Sequence, residues 1–393
     1  MQAPPTVLSQ IMNALYPGEF ARCAKSFPTR RPTRGLSEYD HFLALCFGQL
    51  TYRESLRDIV ACLNSKQSAL YHLGFRGRLS RTNLAYANHH RDWHLFEAVA
   101  QLLMRRAGRL YRDCATDPDL PSLAFALDSS LIALSLKLFP WAYYNRFKRA
   151  LKLHLMLSLQ GELPAWAAVT EGSFPDMKIL DRIPILPGAY YAMDRGYLDF
   201  VRLFRIENGG AFFVVRNKHH VRFRVVTSRP VDKSSGLRCD QTIRLTSNWS
   251  IKSYLKPLRR IRLYDSEKQI TLVLLTNQFD LPAAVIADLY RNRWQVELFF
   301  KWIKQHLRIR SFYGRSDNAV RCQIWSAICA YLMVAITKKR LKTQKSLNEI
   351  LQIISVSIFE QIPLLQLLAA TSTRDDQKRN ENEIHNLPLF NDL

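Results

Sequence analysis

Two apolar runs that each stop on an aspartate constrain this 393-residue chain more than any other feature. Ser122-Leu123-Ala124-Phe125-Ala126-Leu127 ends on Asp128, and Ala189-Tyr190-Tyr191-Ala192-Met193 ends on Asp194. Short runs without polar alternation fit strands covered on both faces, as in the sheet of an α/β fold. Between them, leucines at 151, 153, 155, 157 and 159 alternate strictly, and Gln160-Gly161-Glu162 predicts a hairpin turn into a strand over 165–170. A short helix from Asp176 precedes the second run. A helix from Asp199 to Glu207, closed by Asn208-Gly209-Gly210, and a strand over 211–215 follow it.

The first 112 residues hold no strand-like run. They read as short helices at Glu38 to Leu50, Ser55 to Leu63 and Lys66 to Leu73, then a longer one from Leu84 to near Arg112. The basic connections Arg76-Gly77-Arg78 and Ser80-Arg81-Thr82 suit a helix-turn-helix-like module, a pattern shared with other small helical bundles. Beyond Leu275 the chain turns helical again from Pro282, and past Thr371 it is polar and loose.

The formal net charge is +23, and it is blocked rather than spread. Residues 1–112 carry sixteen Lys/Arg against seven Asp/Glu, and residues 216–263 carry thirteen against two. In the second block the cations alternate with strand-formers, as in Val221-Arg222-Phe223-Arg224-Val225 and Arg259-Arg260-Ile261-Arg262-Leu263, with Trp249 and Tyr254 between. Period-2 alternation predicts these arginines on one sheet face, suited to nucleic acid. His89, His90, His219 and His220 read as phosphate or surface contacts. The apolar run Ile324 to Ile336 is shorter than the roughly 18–20 residues that cross a bilayer and reads as a buried helix, so no membrane partner is expected. No secretory signal is visible at the N-terminus, which points to the cytoplasm. Seven cysteines without a Cys-x-x-Cys pair argue against a disulfide framework or structural zinc and read as buried thiols.

A carboxylate at a strand's C-terminal end stands where open α/β sheets build sites, and can hold a hard divalent cation. Taken singly, either aspartate also reads as a turn or cap residue. The segment Leu289 to Arg310 adds a third carboxylate. At about 100° per residue, Tyr290, Arg293, Glu297, Lys301, Lys304 and Arg308 share roughly 80° of arc, opposite Val296, Phe299, Ile303 and Leu307. One acid among four bases suits a metal beside phosphates better than i,i+4 self-pairing. Three carboxylates from two strands and a helix are what two-metal phosphoryl transfer needs.

The spacing Tyr290-x2-Arg293-x3-Glu297-x6-Lys304 resembles the Tyr-Arg-Glu-Lys signature of bacterial insertion-sequence transposases of the DDE type. Leu127-Asp128-Ser129-Ser130 and Met193-Asp194-Arg195-Gly196-Tyr197 resemble that family's two aspartate motifs. Lys148-Arg-Ala-Leu-Lys152-Leu-His154 and Gly314-Arg315-Ser316-Asp317-Asn318-Ala319 match as well, so the resemblance covers about Ser37 to Leu341. It departs at Pro175, where relatives place His before the aspartate, and at Arg149, where they place Gly.

The resemblance implies an RNase H-like catalytic core over 116–341, interrupted by a β-strand insertion at 216–277 between the second Asp and the Glu. A helical DNA-binding domain over 1–115 would precede it, and a helical segment with a polar tail over 342–393 would follow. It also implies cleavage and strand transfer at paired inverted-repeat ends, by cut-and-paste through a DNA hairpin, within a homodimer that also meets target DNA. Asp128, Asp194 and Glu297 would be catalytic and hold two Mg2+, with Mn2+ able to substitute. Tyr290, Arg293, Lys301 and Lys304 would contact DNA and Trp294 a displaced base. A nucleoid-associated bacterial protein is expected. Two alternatives stay open from the residues alone: an inactive element-encoded DNA-binding protein or repressor, and a structure-specific nuclease.

Overall fold

The computed structural model describes residues 4–29, 35–66, 70–75, 77–112, 120–265, 269–306 and 312–369. Leu307, Arg308, Cys114, Arg76 and the tail past Thr371 therefore lie outside the described residues. In the N-terminal part the chain forms α1 (Val7–Met12), α2 (Pro17–Ser26), α3 (Glu38–Leu50), α4 (Leu56–Asn64), α5 (Arg81–His90) and α6 (His94–Leu110). Ser37, Ser55 and Ser80 start α3, α4 and α5 by accepting the backbone N–H three residues on. The first two helices were not foreseen. The described residues of the helix expected over 66–73 form turns instead. The long helix expected from Leu84 is two, because Asp92 accepts the His94 N–H and Arg91 turns to extended backbone, where its guanidinium binds the Leu36 and Ser37 carbonyls.

The strands are β1 (Ala124–Leu134), β2 (Tyr143–Asn145), β3 (Lys148–Ser158), β4 (Leu163–Glu171), β5 (Tyr190–Met193), β6 (Phe212–Arg216), β7 (Phe223–Arg229), β8 (Leu237–Leu245), β9 (Leu258–Asp265) and β10 (Ile270–Thr276). They join in one mixed sheet of order β2-β3-β1-β5-β6-β10-β9-β8-β7, with β4 also paired to β3. β1, β5 and β6 are parallel, and β10 leads antiparallel from β6 into the outer strands, so those strands extend the same sheet. A 3-10 turn at Asp176–Asp181 and helices α7 (Phe200–Asn208) and α8 (Asn248–Ser253) cover one face. The other face meets α9 (Ala283–Asn292), α10 (Trp294–His306), α11 (Asp317–Leu341), α12 (Leu347–Ser357) and α13 (Leu364–Ala369), in an apolar cluster shared with α1–α6.

β1 shows why the apolar run lacks alternation. Phe125 and Leu127 enter the cluster under α7, whereas Ala124 and Ala126 enter the cluster under α9–α11. α11 is long and apolar enough to cross a membrane by length and composition, but 94% of its apolar window is buried, against α3, α5, α6 and α12. Cys46, Cys322 and Cys329 are buried thiols as expected, but Cys23, Cys62 and Cys239 are only partly covered.

The structure corrects three further expectations. Asp128 is not a strand end, since β1 runs on to Leu134. The helix expected from Leu289 to Arg310 is divided at Arg293, the C-cap of α9, before α10 begins at Trp294. The arginines of β9 do not share one face: Arg262 is exposed, but Arg259 is turned inward with Ile261 and Leu263 and forms a buried ion pair with Asp240 at 2.7 Å.

Candidate active site

Register alone brings the two aspartates together. Leu127 of β1 pairs with Met193 of the parallel β5, so Asp128 and Asp194 follow at the same level on adjacent strands, about 4.8 Å apart in backbone. Paired residues of a parallel ladder point to the same face, here the one that carries α9 and α10. β5 stops at Met193 because Asp194 accepts the Arg195 N–H at 2.6 Å and caps a short 3-10 turn.

Glu297 lies in the first turn of α10, held down by buried Val296, Phe299, Phe300 and Ile303. Between it and β1 stands Arg293, whose Nη1 donates to Asp128 Oδ2 at 2.8 Å and Nη2 to Glu297 Oε1 at 2.7 Å. The guanidinium also lies 5.7 Å from the centre of the buried Tyr290 ring. Lys304 Nζ donates to Ser130 Oγ at 2.6 Å, two residues along β1 from Asp128 and therefore on the same face. Lys301 is exposed, and Trp294 shows 40% of its surface. Of the predicted site residues, Asp128, Glu297, Arg293 and Lys304 are thus tied together by hydrogen bonds around β1, Asp194 and Tyr290 stand beside them, and Lys301 is exposed one turn along α10 from Glu297.

Burial pushes the Asp128 carboxyl up to about 6; Arg293 and the Ser129 N–H oppose the shift, and the neighbouring Glu297 and Asp194 charges add to it. Burial also works against the Arg293 charge, but Asp128, Tyr290 and Glu297 more than offset this and raise its pKa. Tyr290 is raised, chiefly by burial. Among the described residues no three His, Cys, Asp or Glu side chains are gathered closely enough to hold a metal ion as they stand. The donor set nonetheless fits a hard divalent cation: Asp128 feels the charges of both Glu297 and Asp194, and a guanidinium stands between Asp128 and Glu297 where positive charge is needed.

A second polar cluster backs β1 from the other face. Ser129 Oγ donates to Asp176 Oδ1 at 2.7 Å, and Lys152 Nζ donates to the same oxygen at 3.0 Å and to the Phe174 carbonyl at 2.8 Å. His154 pairs with Thr170 at 2.9 Å, and burial lowers its pKa to about 4. The sequence singled out Lys152 and Asp176 only as matched motif positions. The contact of Asp176 with Ser129 crosses 47 residues of chain and leaves no local signal. Arg149, the departure from Gly, donates to the carbonyls of Pro140, Asn145 and Lys148 at 3.1 Å each. It fastens the loop before β3.

The family model described as the transposase DDE domain matches residues 120–333, more than half of the chain. A domain of unknown function (DUF4372) matches residues 4–76. The chain is 37% identical over 260 residues to the Sinorhizobium fredii protein named as transposase y4zB, covering 65% of this chain and 71% of that one. It is 28% identical over 259 residues to the transposase named for insertion sequence element IS5377 of Geobacillus stearothermophilus, covering 64% and 67% of the two chains. A solved piggyBac transposase synaptic complex with hairpin DNA overlays loosely, with a TM-score of 0.47 and 10% identity over 100% of this chain and 90% of that one. The matched domain contains every residue of the carboxylate site, and the chain belongs to the DDE-domain transposases of bacterial insertion sequences.

Proposed function

We propose that Asp128, Asp194 and Glu297 are the catalytic carboxylates of this transposase and would hold two Mg2+ ions, with Mn2+ able to substitute. The observation that carries the reading is the Asp128–Arg293–Glu297 bridge beside Asp194. Bound divalent ions would supply the charge that activates an attacking hydroxyl and stabilises the leaving oxygen of a DNA phosphodiester. The chain's own groups do the rest. Arg293, released from the carboxylates, would move its fork to a phosphate of the element's end, since guanidinium binds carboxylate and phosphate in the same bidentate way. Lys304 and Tyr290 would hold neighbouring terminal phosphates, Lys301 would add an exposed contact from α10, and Trp294 would stack on a displaced base. Ser129, Lys152 and Asp176 would keep β1 in place beneath the reacting group.

This reading takes residues 116–341 as an RNase H-like core into which 216–277 are inserted. Residues 1–115 would form a DNA-binding helical domain, and 342–393 a C-terminal segment. The reaction would be cut-and-paste through a DNA hairpin, within a homodimer on paired inverted repeats. The test is an incubation of the protein with Mg2+ or Mn2+ and a labelled duplex carrying the element's own terminal repeat. A 3′-OH nick at the repeat boundary followed by a hairpin, both lost in Asp194→Ala, is the expected result. Tight binding without cleavage in either metal would leave only an end-binding protein.

A further inference from the structure

Above the level of Asp128, β5 has ended, and β1 continues for six residues paired with β3. At about 3.3 Å per residue this arm rises roughly 20 Å past the carboxylates on the active-site edge. Beside it β2 and β3 form a hairpin closed by the two residues Arg146 and Phe147, with Asn145 opposite Lys148. The tip is braced: the Phe147 N–H donates to Asn145 Oδ1 at 3.0 Å, and Arg149 ties the loop carbonyls together. The root is anchored as well, by Trp141 Nε1 donating to the Arg315 carbonyl at 2.7 Å and by Phe139 set edge-on against Phe312.

On this fixed support Phe147 is 78% exposed, the only exposed phenylalanine among the described residues. The Arg146 guanidinium lies 5.7 Å from its ring centre, and Lys148 follows it. Residues 129–161 contain five Lys/Arg and no Asp or Glu. An apolar ring held out on a braced tip, with cations on both sides and no acid within residues 129–161, has the composition of a side chain that enters a DNA base step while its neighbours take the flanking phosphates.

We propose that Phe147 is a wedge that unstacks one base step of duplex DNA lying across the active-site edge, with Arg146 and Lys148 on the adjacent phosphates. Phe147 lies beyond the Leu134–Arg149 pair, so its tip stands about 23–26 Å past the carboxylates, and at about 3.4 Å per base pair that sets the step roughly seven to eight base pairs from the reacting phosphate. Only this distance rests on the carboxylate assignment above; the wedge itself can be read without cleavage.

The experiment uses the full chain in EDTA with two duplexes, one carrying the element's terminal repeat and its flank, the other unrelated in sequence. Each carries 2-aminopurine at successive steps. The expected result is a fluorescence rise at one step, abolished in Phe147→Ala and kept in Phe147→Leu. Phe147→Ala should also lose about tenfold in affinity on paired DNA and regain it on a duplex with a mismatch at that step. A rise on the repeat duplex alone assigns the wedge to the element's end, and a rise on the unrelated duplex assigns it to the target. An unchanged profile in Phe147→Ala, or an equal affinity loss on mismatched DNA, overturns the proposal. So does a fall in assembly mass by light scattering with the profile intact, since the ring would then be a subunit contact. Glu297→Gln, which tests the carboxylates, should keep the rise while losing cleavage, so the two readings fail separately.

Discussion

Replacing Asp240 by alanine tests whether the outer strands support the segment that leads into α9 and the candidate site. Asp240 and Arg259 are 5% and 4% exposed, and the guanidinium binds both carboxylate oxygens, at 2.9 and 2.7 Å. Arg259 Nη1 also donates to the Leu281 carbonyl at 2.6 Å and to those of Gln278 and Phe279 at 3.3 and 3.4 Å, just before α9 begins. Asp240→Ala would leave a buried cation without its counter-charge, a loss of about 3–5 kcal/mol, or roughly 4–6 °C in melting temperature for a chain of this length. The reverse change, Arg259→Met, leaves Asp240 with the half-exposed Arg229 at 3.3 Å but strips the three carbonyls, and should cost a comparable amount. The double variant should then cost less than the sum by about 2–3 kcal/mol, because the second truncation removes a charge already left unpaired. Thermal unfolding of the four proteins measures this directly. Strict additivity, or an Asp240→Ala protein that melts within about 2 °C of wild type, would refute the argument. Because the Arg259 contacts fix the segment entering α9, Asp240→Ala should also slow end cleavage when assayed well below its melting point.

Glu297→Gln should abolish strand cleavage while leaving gel-shift affinity for the terminal repeat within about twofold, and unfolding by circular dichroism would contradict the assignment. Arg293→Ala and Lys304→Ala should each reduce the slope of log affinity against log salt by about one, read from binding isotherms at several salt concentrations. Arg293→Ala also leaves Asp128 and Glu297 facing each other unneutralised, so Mg2+ should raise its melting temperature by more than it raises that of the wild type. His41 and His154 are held neutral by burial, with pKa values lowered from 6.5 to about 3 and about 4. At these two groups the folded chain binds fewer protons than the unfolded chain below pH 6.5, so their contribution to stability should fall as pH drops from 6.5 toward 4, opposed by the raised carboxyl of Asp128. His154→Gln should flatten part of that loss in urea titrations, and an unchanged pH slope would contradict the burial argument.

The central strands were legible because both-face burial forces unbroken apolar runs, and their aspartates because a charge must end such a run. The sequence could not tell that β1 continues, since Ser129 to Leu134 keep a mixed pattern on a strand that β5 no longer covers. The shared face of Arg293 and α10 was read from periodicity, but the partners of its cations were not. Arg293 reaches across 165 residues to Asp128 and Lys304 across 174 to Ser130, so sign counting on one helix predicted free cations where the fold supplies acceptors. The same blindness put Arg259 on an open face, because its partner Asp240 lies on another strand. The family signature singled out the carboxylates as candidates without indicating what stands between them.

The unbroken sheet carries one more consequence. From β1 to β7 there are six strand intervals, about 29 Å in all, fixed by ladder hydrogen bonds and not by a linker. A duplex that touches both the exposed Arg224 of β7 and the carboxylates is therefore measured against a ruler of constant length. Inserting one base pair between those two contacts turns one of them by about 35° around the DNA axis, and no hinge in the protein lies between them to follow it.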